Sequence, residues 1–327
     1  MVAAMQDARP ALVAALLVFC AFASARSETL LVLSKGDHTL AMVDPATRKV
    51  LARMPSGPDP HEVIASSDGR MAYISNYGGG AYNTITEADL TARKTVGTID
   101  LGALRGPHGL AFVGRKLWFT AEAAKAIGSY DPGSRKIDWI MGTGQNRTHM
   151  IFVRDDLQRV ITSNISSATM SIIDQTGPRR EWNETVVAVG KGAEGFDVSP
   201  DGRQLWAANA GDGSVSVIDL GSKQVTATIP AGINAANRLK FTPDGKLVFV
   251  SLLNGPEIVV IDAASRAVAR RIHSGRGAEG IQMEPGGARA YVSCTPDDYV
   301  AIIDLKSLEI VGRIDAGKQP DGLAWAK

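Results

Sequence analysis

His61, His108 and His149 stand 47 and 41 residues apart, each near the head of a short apolar alternation: PHEVIA, PHGLAF and THMIFV. The whole chain has five histidines, so three at one register are hard to credit to chance. Imidazole titrates near neutral pH and is a common ligand of divalent transition metals, so rings recurring in this way could converge on one ion or act as acid and base. The register continues through Glu194, Asn237, Glu279 and Asp321, at steps of 45, 43, 42 and 42 residues. The blander reading is that the repeat favours a polar residue after its turn, with Glu, Asp and Asn filling the role elsewhere. On the sharper reading the three imidazoles, completed by Glu194 or Glu279, bind a divalent metal ion whose open position acidifies water or polarises a substrate oxygen. His108 would then serve as a ligand or as the general base. Asn237 and Asp321 would line the same site. Arg147 and Arg238, close to register positions, would hold a substrate carboxylate or phosphate through paired N–H donors, or else be solvated rim charges.

Side chains more than 40 residues apart meet only if a repeated unit brings them together, and such a unit runs along the chain. Its clearest copy is GAEGFDVSPDGRQLWAANAGDGSVSVIDLGSKQVTATIPAG, Gly192–Gly232. It reads as four short strands with three tight connections. An Asp closing the third strand recurs at Asp44, Asp89, Asp131, Asp174, Asp219, Asp262 and Asp304, at steps of 45, 42, 43, 45, 43 and 42. This marker and the His register both count seven copies. Seven repeats of four strands predict an all-β, seven-bladed β-propeller with almost no helix. The chain enters at a second strand (TLLVLS) and ends after a first strand (PDGLAWAK). The predicted closure is therefore a composite blade, in which the C-terminal inner strand joins three N-terminal strands and leaves no open edge. In that fold the His register lies around the mouth of the central channel, where loops from all blades form a funnel. The Gly-rich stretch SNYGGGAYNT carries Tyr77 and Tyr82 and reads as a flap with aromatic contacts beside His61 and His108, or as a plain surface loop. His38, in SKGDHT, would rim the same face from the composite blade. The seven Asp and Asn76, Asn164 and Asn209 read as turn-stabilising residues. Cys294 reads as a buried small hydrophobe.

The strands MAYISN, KLVFVS, ARAYVSC and QLWAANAGDGSVSVID, with the hairpins SPDG and TPDG, resemble the YVTN family of β-propellers over roughly residues 29 to 327. That resemblance implies the fold and leaves function open, since such propellers include binding proteins, surface-layer components and domains of redox enzymes. One blade, GPHGLAFVGRKLWFTAEAAKAIGSYDP, is similar to those of streptogramin (virginiamycin B) lyases. By that resemblance His108 is the catalytic base and Glu122 a metal carboxylate, although Ala121 stands where that family places its Glu.

Composition bounds the partners. Lys and Arg number 35 against 34 Asp and Glu, and the net charge is +1, which gives no electrostatic footprint for nucleic acid. Residues 1–25 read as a secretory signal, an apolar stretch ending in Ala23-Ser24-Ala25 and cut before Arg26, with residues 26–327 as one propeller domain. A periplasmic or secreted protein follows, with no membrane span after cleavage and, past the signal, only Cys294 and so no internal disulfide. The sequence has no CxxCH, HExxH, GxSxG or GxxxxGK[ST], which argues against covalent haem and elbow-type serine hydrolysis. Two readings remain. One is an exported propeller with a His/carboxylate site for a metal or small-molecule ligand, as in a metal-assisted, lactonase-like lyase or hydrolase. The other is a non-catalytic scaffold for an envelope protein.

Overall fold

The computed structural model describes Met1, residues 28–233 and residues 235–327; the expected signal and its cleavage site lie outside the described residues. Among the described residues twenty-eight strands form seven four-stranded antiparallel sheets, one per repeat. We number these blades I to VII. Blade I is composite: Pro320–Ala326 pairs with Thr29–Ser34, which is followed by Thr39–Val43 and Val50–Pro55. Blades II to VII begin with inner strands Pro60–Ala65, Pro107–Val113, Thr148–Val153, Ala193–Val198, Ala236–Phe241 and Ala278–Met283. Among the described residues the only helical segments are two 3-10 turns, Gly78–Gly80 and Thr295–Asp297, and no helix is long and apolar enough to cross a membrane.

Local chemistry sets the connections. In the SPDG hairpin the Ser199 hydroxyl donates to Asp201 Oδ1 at 2.6 Å, which also accepts the Arg203 N–H at 3.0 Å. Gly202 follows at φ 71°, a backbone region costly to residues with a Cβ. Six of the seven marker Asp close Asx turns as expected. Asp304, for one, accepts the N–H groups of Lys306 and Ser307 at 3.0 and 2.7 Å. Asp174 departs from this pattern and pairs instead with Arg159 at 2.6 Å and Lys223 at 2.8 Å. The turn role expected for Asn76, Asn164 and Asn209 is corrected. These side chains are buried at the ends of second strands and donate across to hydroxyls of the third strand: Thr84 and Thr86, Thr169 and Ser171, Ser214 and Ser216. A buried amide needs partners, and alternate hydroxyls of the third strand, themselves mostly buried, supply them.

Third strands are buried on both faces, as Val215, Ser216, Val217 and Ile218 show. The core is accordingly not one centre but seven, each between adjacent blades. Trp206, Val215 and Val217 of blade V pack on Leu239, Val250 and Val259 of blade VI. Leu31, Leu40 and Ala324 of the composite blade pack on Val63 and Ile74 of blade II. Blade I also packs on blade VII through Leu30, Val32, Tyr291 and Ile302, which closes the circle.

Candidate functional site at the channel mouth

Each inner strand carries one extra residue relative to its neighbour just where the His register falls, for example between Pro60 and Val63 opposite Asn76 and Ile74. All seven blades repeat this bulge. A bulge re-aims side chains, so residues adjacent in sequence need not face opposite ways. Glycine follows the register residue in four blades. A Cβ at Gly195 would lie 2.2 Å from the Asn237 carbonyl oxygen of the next blade, and one at Gly280 would lie 2.2 Å from that of Asp321. Hydroxyls lock the same approach: Thr120 accepts the Gly109 N–H at 2.9 Å and donates to the His149 carbonyl at 2.8 Å. Ser163 and Ser293 likewise donate to the carbonyls of Glu194 and Asp321.

The seven register residues do meet around the channel mouth, but in distinct groups. His108 is 2% exposed, lies against His149 at 3.7 Å between ring centroids with the planes tilted by 33°, and meets His61 at 5.3 Å. Tyr77 packs against two of the three, 4.9 Å from His61 and 5.0 Å from His108. The Gly-rich segment that carries it is tied down where the Gly78 N–H meets Asp59 Oδ2 at 2.8 Å. Burial, then the neighbouring His149, Arg238 and His61, push the His108 imidazolium well below the ordinary histidine range. His108 is therefore a neutral ring, the form that ligates metals. Its Nδ1 and both nitrogens of His149 are buried without a hydrogen-bond partner.

Carboxylates face the His149 ring on two sides: Glu122 Oε2 lies 3.8 Å from its Nδ1 and Glu194 Oε1 lies 3.7 Å from its Nε2. Glu122 is held by Arg147, whose Nε donates to it at 2.5 Å. Burial alone would raise the Glu122 pKa, but His149, Tyr77 and Arg147 outweigh it and hold the carboxyl at about 2. Burial, then Glu122, push the Tyr77 phenol up to about 12. Glu194 accepts from Asn237 Nδ2 at 3.0 Å, and Arg238 reaches across the channel to bond Glu62, with its Nη1 3.9 Å from Glu194.

Glu279 does not join the imidazoles. It and Asp321 grip Lys35, at 2.8 and 2.9 Å, and burial together with Asp321 raises the Glu279 pKa. His38 is exposed in a left-handed turn at φ 51°, and Tyr82 is 41% exposed over Gly78. Neither is brought against the trio. Lys35 and Glu62 were missed by the sequence reading. Strict alternation puts Glu62 on the face opposite His61, and only the bulge overrides it; an acid after the register residue of blade II and an Arg at the same position of blade VI, which donates to it, were the available signal. Glu122, which came from the lyase resemblance alone, does stand beside the trio.

Counted together, five carboxylates (Glu62, Glu122, Glu194, Glu279, Asp321) face three cations (Lys35, Arg147, Arg238). On formal charge two negative charges are left over in a largely buried ring, where uncompensated charge is costly, and the raised Glu279 pKa is one response to that excess. The imidazoles do not yet stand as a ligand set. Two imidazoles on one tetrahedral ion have ring centres roughly 5 Å apart, which the His61–His108 pair matches and the 3.7 Å His108–His149 pair does not. Among the described residues, no three or more His, Cys, Asp or Glu are arranged to hold a metal ion.

The family model of YNCE-like β-propellers matches residues 125–289. No curated protein matches the chain. Among solved structures, a candidate 6-phosphogluconolactonase from Bacteroides uniformis superposes with a TM-score of 0.75 at 13% identity, over 92% of this chain and 100% of that one. A functionally unknown protein from Desulfotomaculum acetoxidans gives 0.73 at 12% identity, over 89% and 98%. The hydrazine synthase of Kuenenia stuttgartiensis gives 0.68 at 21% identity, over 81% and 89%. At these identities the likeness is one of fold. None of these neighbours is a streptogramin lyase.

Proposed function

The chain belongs to the YNCE-like β-propeller family, and on that footing we propose that its channel mouth binds a divalent transition-metal ion and offers it to a small-molecule ligand in an exported protein. The observation that carries this reading is the cluster of His61, His108 and His149, in which His108 Nδ1 and both His149 nitrogens are buried and unpartnered while His61 Nδ1 faces the Asp59 carbonyl at 3.2 Å, in a ring whose carboxylates formally outnumber its cations by two. Nitrogen donors of this kind suit zinc, copper or nickel better than magnesium or calcium. His61, His108 and His149 would hold the ion, with Glu122 or Glu194 beside them, after the His108–His149 pair opens. Bound there, the ion would polarise a ligand oxygen or acidify water. Arg147 is half-exposed at the rim and is the cation best placed to meet an anionic group of an arriving ligand. Arg238 is buried and committed to Glu62, which makes it a strut across the channel instead.

A lyase or hydrolase acting on a lactone or cyclic ester is the catalytic version of this reading, and the lactonase-like neighbour makes lactones the first substrates to try. A non-catalytic version, in which the propeller holds its ligand or an envelope partner, is favoured by one fact: His108 is only 2% exposed beneath Tyr77, which leaves a general base little access to substrate.

The test is metal content of protein purified without a His-tag, for the wild type and a His61→Ala/His108→Ala/His149→Ala variant, after equilibration with zinc, nickel or copper. About one ion per chain is expected in the wild type and none in the variant. Equal, sub-stoichiometric metal in both overturns the reading. N-terminal sequencing of the exported protein checks cleavage before Arg26.

A further inference from the structure

Below the ring the channel changes character. A cavity of about 270 Å³ is lined by residues that follow the register positions along the inner strands, with Glu62 and Arg238 at its boundary with the mouth. Its walls include Ile64, Leu110, Met150, Phe152 and Trp325, all half-buried. Large apolar side chains left partly uncovered inside a cavity gain free energy when an apolar guest covers them. Single exposed apolar residues on a surface need no such account, but five around one cavity do.

The polar groups of this compartment narrow the guest. Glu62 and Asp197 are matched by Arg238 and Lys240, with Lys240 Nζ 3.5 Å from Asp197 Oδ1. The compartment therefore carries no surplus charge, in contrast to the mouth above it, and offers an ion nothing to neutralise. Gln282 turns its amide nitrogen to the Met283 carbonyl at 2.7 Å, which leaves its amide oxygen as an acceptor at the cavity wall. At the packing density of protein interiors the volume takes on the order of ten non-hydrogen atoms.

We propose that this lower compartment is a separate binding site for a neutral small molecule with an apolar ring and a single hydroxyl, of the phenol or alicyclic alcohol class. It goes beyond the metal reading and does not depend on it, because no imidazole lines the cavity. The experiment is calorimetric titration of the full-length protein with p-cresol, repeated on Leu110→Trp and Ile64→Trp, which fill the cavity, and on the His61/His108/His149 triple alanine variant. Saturable binding of one molecule per chain is expected. It should weaken about tenfold or more in either filled variant and stay unchanged in the triple variant. Benzoate, which brings a charge the site cannot match, should bind about tenfold more weakly than p-cresol. Should a filled variant misfold, Trp emission on titration with cyclohexanol serves instead: a saturable change in the wild type that is lost in Trp325→Phe supports the site. Absence of saturable p-cresol binding up to about 10 mM, or undiminished binding in a folded Leu110→Trp protein, overturns the proposal. An emission change that persists in Trp325→Phe also counts against it. Because the triple variant removes the proposed metal ligands alone, loss of metal binding with p-cresol binding intact separates the two readings.

Discussion

Glu122→Gln is the perturbation that tests the electrostatics of the channel mouth most directly. The Glu122 side chain is 4% exposed, bonded by Arg147 at 2.5 Å and faced by His149 at 3.8 Å. Its carboxyl is lowered from an ordinary 4.5 to about 2, because His149, Tyr77 and Arg147 outweigh the burial that would raise it. A shift of about 2.5 units at about 1.4 kcal/mol per unit corresponds to about 3 kcal/mol of stability at neutral pH. Gln keeps the shape and one acceptor oxygen, so about 2 kcal/mol is the expected loss, or a fall in Tm of about 3 °C for a domain of about 300 residues. The pH dependence has a definite sign. A depressed folded-state pKa contributes stability that is complete above the unfolded value of 4.5 and is lost as pH falls through about 2. Guanidinium unfolding followed by Trp fluorescence should therefore show the full gap between wild type and Glu122→Gln at pH 7, and the gap should close between pH 4.5 and 2. An equal midpoint for the two proteins at pH 7, or a Gln variant that is more stable, would refute the reasoning. It would mean that relief of the surplus negative charge outweighs the lost Arg147 pair.

Two further predictions concern the architecture. Deleting Pro320–Lys327 removes the inner strand of blade I with the buried Leu323, Ala324 and Ala326 and opens both neighbouring cores; a protein with an unchanged Tm would show that this strand does not close the circle. Gly195→Ala places a Cβ 2.2 Å from the Asn237 carbonyl and should cost about 2 kcal/mol or more, whereas Gly142→Ala, with nothing within 4 Å, should change stability by no more than about 0.5 kcal/mol in chemical denaturation.

The fold was legible because the blades share short-range rules, although the SPDG or TPDG hairpin itself occurs only in blades V and VI. The SPDG hairpins, the Asp that closes each third strand and the two-residue alternation act over short distances, so a repeat period is enough to count blades and locate the composite closure. Leu31 and Ala324 illustrate the limit of that legibility. The period says they share a blade, and only packing shows that they form one core with Val63 and Ile74 of the next.

At the site, the sequence by itself determined which residues share the register, and so that His61, His108 and His149 line the channel mouth on adjacent blades. The tertiary structure decided how that ring divides: His149 between Glu122 and Glu194, Arg238 across to Glu62, and Glu279 drawn away by Lys35. The reason is physical. Register depends on hydrogen bonding within one sheet, which a repeat encodes locally. Ion pairing depends on distances across the channel, where long side chains reach past their neighbours and a bulge in each inner strand turns Glu62 and Arg238 to a side that alternation denies them.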